Sequence, residues 1–142
     1  HLRPRRQRQM CIRDRVSALA DAGIRVSLFI EPEPEQLRAA ADLGAAVVEL
    51  HVGSYCDAVG EEQERLLKRV QTAAEMSAKL GLECHAGHGL SFETVGPIAA
   101  IPQLVELNIG HFLVGEAIFV GMDAAIRQMR AAMDAGRSGA VS

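Results

Sequence analysis

Four short runs of β-rich residues alternate with helix-forming stretches, and glycines mark where several of those stretches stop. The repeat is roughly thirty residues, the length of a strand–helix–strand unit. A connection of that length carries the chain back to the end of the sheet where the preceding strand began, so the strands it joins are parallel. Residues 16–23 read as the last turns of a helix stopped by Gly23, and 25–31 as the first strand. Pro32 and Pro34 break that strand, and a helix over 35–43 is stopped by Gly44. Residues 46–52 form the second strand and 53–60 a loop. A long amphipathic helix over 61–80 places Leu66, Leu67, Val70 and Ala74 near a 3.6-residue period and ends at Gly81. The third strand is 82–86, followed by a short helix over 92–100, and the fourth strand is 104–109. An apolar helical stretch runs from His111 to Gly121, and a closing helix over 122–135 is capped by Gly136. The fold class is α/β. Two architectures fit four such units: a doubly wound sheet, or half of an eight-stranded (β/α)8 TIM barrel. No Gly-x-Gly-x-x-Gly follows the first strand, which weighs against dinucleotide binding.

Composition narrows the functions open to such a fold. The 142 residues are 49% hydrophobic and 23% charged, as in a globular protein with a substantial core. No apolar run reaches the ~18–20 residues a membrane span needs, and no secretory leader is legible, so a cytoplasmic protein without a membrane partner is expected. Three cysteines (Cys11, Cys56 and Cys84) are an odd number without metal-ligand spacing, so a disulfide framework is not expected. Of the fifteen basic residues, six are arginines within the first fifteen positions, against one acid, Asp14. A nucleic-acid-binding arm is the reading such a cluster invites. A different one is preferred: Met10-Cys11-Ile12-Arg13-Asp14-Arg15 is what a common transposase adapter encodes in one frame. Residues 1–15 are therefore expected to be a non-native, adapter-derived segment, 16–137 the half-barrel, and 138–142 a frayed tail, with no nucleic-acid partner.

Polar residues inside strands point to the chemistry. Active sites of parallel barrels sit at the C-terminal ends of the strands. Glu31 ends the first strand; Glu49 and His51 share one face of the second; His85 lies in the third with His88 just past it; Glu106 and Asn108 share a face of the fourth. His51, His85 and Glu106 are read as structural groups. Glu49, a carboxylate between Val48 and Leu50, is costly there without a partner and is read as functional. His88 is the strongest candidate, because Gly87 and Gly89 let a ligand approach and imidazole exchanges protons near neutral pH. Gly110-His111 opens a helix after the fourth strand, where free N–H groups and the helix dipole favour a phosphate. His85 and His88 alone do not make a metal site, and none is expected.

Arg25-Val26-Ser27-Leu28-Phe29-Ile30-Glu31, Val48-Glu49-Leu50-His51-Val52-Gly53, Ala86-Gly87-His88-Gly89-Leu90 and Glu106-Leu107-Asn108-Ile109-Gly110-His111 resemble, in order and separation, the pyridoxine 5′-phosphate synthase family. The resemblance covers 16–137. It implies the C-terminal half of a TIM barrel that assembles as a homo-octamer, without metal or organic cofactor. It also implies a transferase-class reaction of vitamin B6 biosynthesis. In that reaction 3-amino-2-oxopropyl phosphate and 1-deoxy-D-xylulose 5-phosphate condense to pyridoxine 5′-phosphate, phosphate and water. Carried over by motif, His88 is the proton donor and Glu49 the transition-state stabiliser. Gly89 binds substrate, and Gly110 and His111 bind the phosphate end. The family usually has Asn where His85 stands. Its other catalytic groups belong to the N-terminal half; His1-Leu2-Arg3 matches the start of one loop of that half, too briefly to carry a role. The isolated chain is expected to aggregate or self-associate and to lack synthase activity. The alternative reading is a non-catalytic, phosphate-binding half-barrel that self-associates.

Overall fold

A computed structural model describes residues 5–139, with side chains from Met10 onward. In chain order the elements are α1 (Arg5–Asp21), β1 (Ser27–Ile30), α2 (Pro34–Asp42), β2 (Val47–His51), α3 (Gly53–Asp57) and α4 (Gly60–Lys79). They continue with β3 (Glu83–Gly87), α5 (Val95–Ala99), β4 (Leu104–Asn108), α6 (His111–Val120) and α7 (Met122–Gly139). All strand pairs are parallel, and the sheet order is β1-β2-β3-β4. This sequential order decides between the two architectures. A doubly wound sheet reverses its order at a switch point, whereas a barrel winds steadily in one direction, as here. The chain is thus four consecutive βα units of a barrel. His1-Leu2-Arg3 lies outside the described residues. None of the described helices is long and apolar enough to cross a membrane.

One face of the sheet carries the core. Val48, Leu50, Cys84, Ala86 and Leu104, joined by Leu28, Ile30 and Leu107, pack against Leu37 and Ala40 of α2, Leu66, Val70 and Ala74 of α4 and Ile98 of α5. The alternate residues Phe29, Glu49, His51, His85, Glu106 and Asn108 take the opposite, concave face, as the two-residue period of a strand requires. Gly23, Gly44 and Gly81 end their helices with φ near +75° (76°, 77° and 73°). In each case the next residue's N–H bonds a carbonyl five positions back: Ile24 to Leu19, Ala45 to Ala40 and Leu82 to Ser77. This helix ending turns the chain straight into a strand, which is why the glycines punctuate the sequence.

Two expectations change. Residues 53–57 form the short helix α3 where a loop was expected; buried Tyr55 anchors it, its hydroxyl donating to the Thr94 carbonyl at 3.1 Å. The helix α7 does not stop at Gly136 but continues through Ser138 to Gly139. Gly136 is a contact point instead: a Cβ there would strike the backbone of Gly96 in α5, so the glycine lets two helices cross at close range. Residues 16–21 are the last turns of α1, which runs from Arg5, and from Met10 to its end only Val16 is buried.

Candidate active site

Strand β2 brings Glu49 to the concave face, opposite Phe29 of β1 and His85 of β3. Its carboxylate reaches up over Gly87, where a Cβ would collide with Glu49 Oε1. There Asn108 of β4 donates from Nδ2 to Glu49 Oε2 at 2.9 Å. A half-buried carboxylate thus has the partner its position requires. The Asn108 side chain reaches this place because β3 and β4 slip by one residue between Cys84 and His85: Cys84 pairs with Leu104, but His85 pairs with Glu106. Val105 is the extra residue, and beyond it Glu106 and Asn108 face the concave side while Leu107 returns to the core.

His88 follows β3 immediately and has φ +77°, the only described residue other than glycine in the left-handed region. Gly89 continues the turn at φ +85° and lies against Cys56 and Gly53 of α3, where a Cβ would be 3.2 Å from Cys56 Cβ. The Cys56 thiol donates to the His88 carbonyl at 3.9 Å. This left-handed pair throws the imidazole outward, where it is exposed. Gly110 precedes α6, and no side chain caps that helix. The first N–H groups of α6 have no carbonyl within the helix to bond, so its N-terminus, with exposed His111 beside it, is electropositive.

Glu49, His88, Gly89, Gly110 and His111 all line one cleft of about 660 Å³ at the strand ends, so every residue expected at the site is brought together there. Its volume suits a small-molecule ligand. Phe29, Asn108 and Phe112 also line it. Asn108 was legible only as sharing a face with Glu106; nothing in the sequence locates the slip that aims it at Glu49.

The groups read as structural divide. His85 is buried between two carboxylates, with Nε2 2.8 Å from Glu83 Oε1 and Nδ1 3.6 Å from Glu106 Oε1. Arg25 pairs with the same Glu83 at 2.5 Å, and hydrogen bonds from Arg25 and then His85 hold the Glu83 carboxyl below the usual range. His51, by contrast, lies against His88, with ring centroids 4.9 Å apart. Burial pushes the thiols of Cys56 and Cys84 up, which keeps them from acting as ready nucleophiles. Among the described residues no cluster of three or more His, Cys, Asp or Glu side chains is arranged to hold a metal ion.

Residues 5–135 match the family model described as pyridoxal phosphate biosynthesis protein PdxJ. The chain is similar to the pyridoxine 5′-phosphate synthase of Rhodospirillum rubrum, 59% identical over 128 residues, which are 89% of this chain and 51% of that protein. It is similar to that of Caulobacter sp. strain K31, 60% identical over 123 residues, covering 84% of this chain and 49% of the relative. The same holds for that of Zymomonas mobilis, 55% identical over 123 residues, covering 87% and 48%. The chain spans about half the length of these curated relatives.

Proposed function

Because the chain belongs to the PdxJ family of pyridoxal phosphate biosynthesis proteins, we propose that its cleft is the C-terminal half of a pyridoxine 5′-phosphate synthase active site. The reaction is the condensation of 3-amino-2-oxopropyl phosphate with 1-deoxy-D-xylulose 5-phosphate to pyridoxine 5′-phosphate, phosphate and water. The observation that carries this reading is the convergence of Glu49 of β2, His88 and Gly89 after β3, and Gly110 and His111 after β4 on one cleft.

Each group has a task that its chemistry suits. The α6 N-terminus, with Gly110 and His111, anchors a phosphate through backbone N–H groups and the helix dipole. Gly89 leaves room for the bound molecule against the turn. Ring closure requires imine formation, loss of water and phosphate, and proton movement at carbon. His88 donates protons from a fixed distance to the anchored phosphate. Glu49, oriented by Asn108, balances the cationic character of iminium intermediates. The remaining acid–base groups come from the N-terminal half of the barrel, so this chain alone is inactive. The working enzyme is a cytoplasmic homo-oligomer that uses neither metal nor organic cofactor.

The test is genetic. This chain replaces the matching half of the Rhodospirillum rubrum relative, and the hybrid is expressed in a bacterium that requires pyridoxine. Growth without pyridoxine is expected, and His88→Ala in the hybrid abolishes it. A hybrid that accumulates folded but does not support growth contradicts the proposal.

A further inference from the structure

We infer that His51, held by Glu31, is a positioning residue that fixes the imidazole of His88; the inference rests on the reading of His88 as proton donor. His88 needs such a device. It sits in a strained left-handed turn, and its ring is exposed. Among the described residues no hydrogen bond holds that ring; its neighbours are two other rings, His51 at 4.9 Å and Phe29 at 6.3 Å between centroids.

His51 is the fixed member of the three. Its Nδ1 lies 2.7 Å from Glu31 Oε1. An ionised carboxylate only accepts, so Nδ1 carries the hydrogen and Nε2 is directed away from Glu31. Phe29 meets the same ring edge-on at 5.3 Å, with an interplanar angle of 75°. Glu31 is in turn held from the helix layer: Arg69 of α4 lies 3.6 Å from Glu31 Oε2, and is itself tied to Glu33 at 2.6 Å and to the Pro32 carbonyl at 3.3 Å. A line of contacts therefore runs from a helix packed on the core, through Glu31 and His51, to the His88 ring. Gly53 closes the arrangement from below. A Cβ on this buried residue would stand 2.8 Å from His51 Nε2 and 3.1 Å from His88 Cδ2, so only glycine lets both imidazoles settle together.

The experiment is side-chain ¹⁵N–¹H NMR of the histidines in the whole 142-residue chain, with Glu31→Ala and Glu31→Gln. Glu31 is 41% exposed on its side chain, and Gln keeps the acceptor oxygen. In the unaltered chain His51 is expected to carry hydrogen on Nδ1 and to show a nuclear Overhauser contact to the His88 ring. Glu31→Ala loses the Nδ1–H signature and shifts the His88 ring resonances, while His85, held by Glu83, stays in place. Glu31→Gln restores both, which a merely structural loss at this position would not predict. His88 resonances that stay put while His51 changes overturn the inference. If Glu31→Ala does not fold, the unaltered chain decides: an Nε2–H form of His51, or no contact between the two rings, overturns it. These readouts need no turnover, so they stand or fall apart from the synthase reading.

Discussion

His88 occupies a backbone region that costs an L-residue about 1–2 kcal/mol relative to the right-handed one, and glycine would sit there freely. The left-handed turn carries the imidazole out over the cleft, so in the proposed reaction the strain serves the site. His88→Gly is therefore expected to raise stability by about 1 kcal/mol, read from the urea midpoint. In the hybrid barrel it lowers turnover by about 100-fold or more. Gly87 acts in the opposite sense. A Cβ there meets Glu49 Oε1 and stands 2.9 Å from the Asn108 carbonyl, a backbone atom that cannot swing away. Gly87→Ala is expected to cost about 1–3 kcal/mol and to break the Asn108–Glu49 hydrogen bond. Glu83 supplies a pH dependence. Its folded carboxyl is held below the ordinary value by hydrogen bonds from Arg25 and then His85. That contribution is complete above the unfolded value of about 4.3 and is lost as pH falls through the depressed folded value. Urea unfolding followed through this acidic range is expected to show a shallower loss of stability for Glu83→Gln than for the unaltered chain.

At the scale of elements, the sequence reveals the strands and most of the helices because two signals agree there. The helix stops at Gly23, Gly44 and Gly81 fall where the chain needs a left-handed residue, and the apolar alternation in 46–52 and 82–86 matches the face that packs on the helices. The site candidates were legible for the same reason: a polar residue inside a strand, or a glycine pair beside a histidine, departs from that pattern. What could not be read depends on contacts between elements. The slip at Val105, which turns Glu106 and Asn108 to the concave face, is a property of how β4 pairs with β3. The role of His51 appears only once the ends of β1, β2 and β3 are side by side. Gly136 resembles a helix cap in sequence, but it is spent on the crossing of α7 and α5. Beyond it, Arg137 donates to the carbonyls of Ile101 at 2.9 Å and Leu104 at 2.7 Å, fastening α7 to the start of β4. Gly136→Ala is expected to push the two helices apart and to lower the urea midpoint by the equivalent of about 2 kcal/mol.

At the scale of the molecule, β1 and β4 are the edges of the described four-stranded sheet, and its concave face is partly open. Phe29 on that face is 56% exposed, and Ile118 and Phe119 on α6 are 79% and 84% exposed. Exposed apolar area of this kind drives association. Sedimentation of the isolated chain is expected to show concentration-dependent self-association, weakened by Phe119→Asp; a monomer at all concentrations would contradict this. Both the half-barrel and the convergence of its strand ends on one cleft bear on whether this chain holds half of a phosphate-ester site. The most direct measurement is a titration of the ¹⁵N-labelled chain with pyridoxine 5′-phosphate, following the backbone amides. The amides of Gly89, Gly110 and His111 are expected to shift together and saturate at one ligand concentration, and His111→Ala is expected to weaken the response. Amides at those three positions that remain unmoved would contradict the proposed phosphate site.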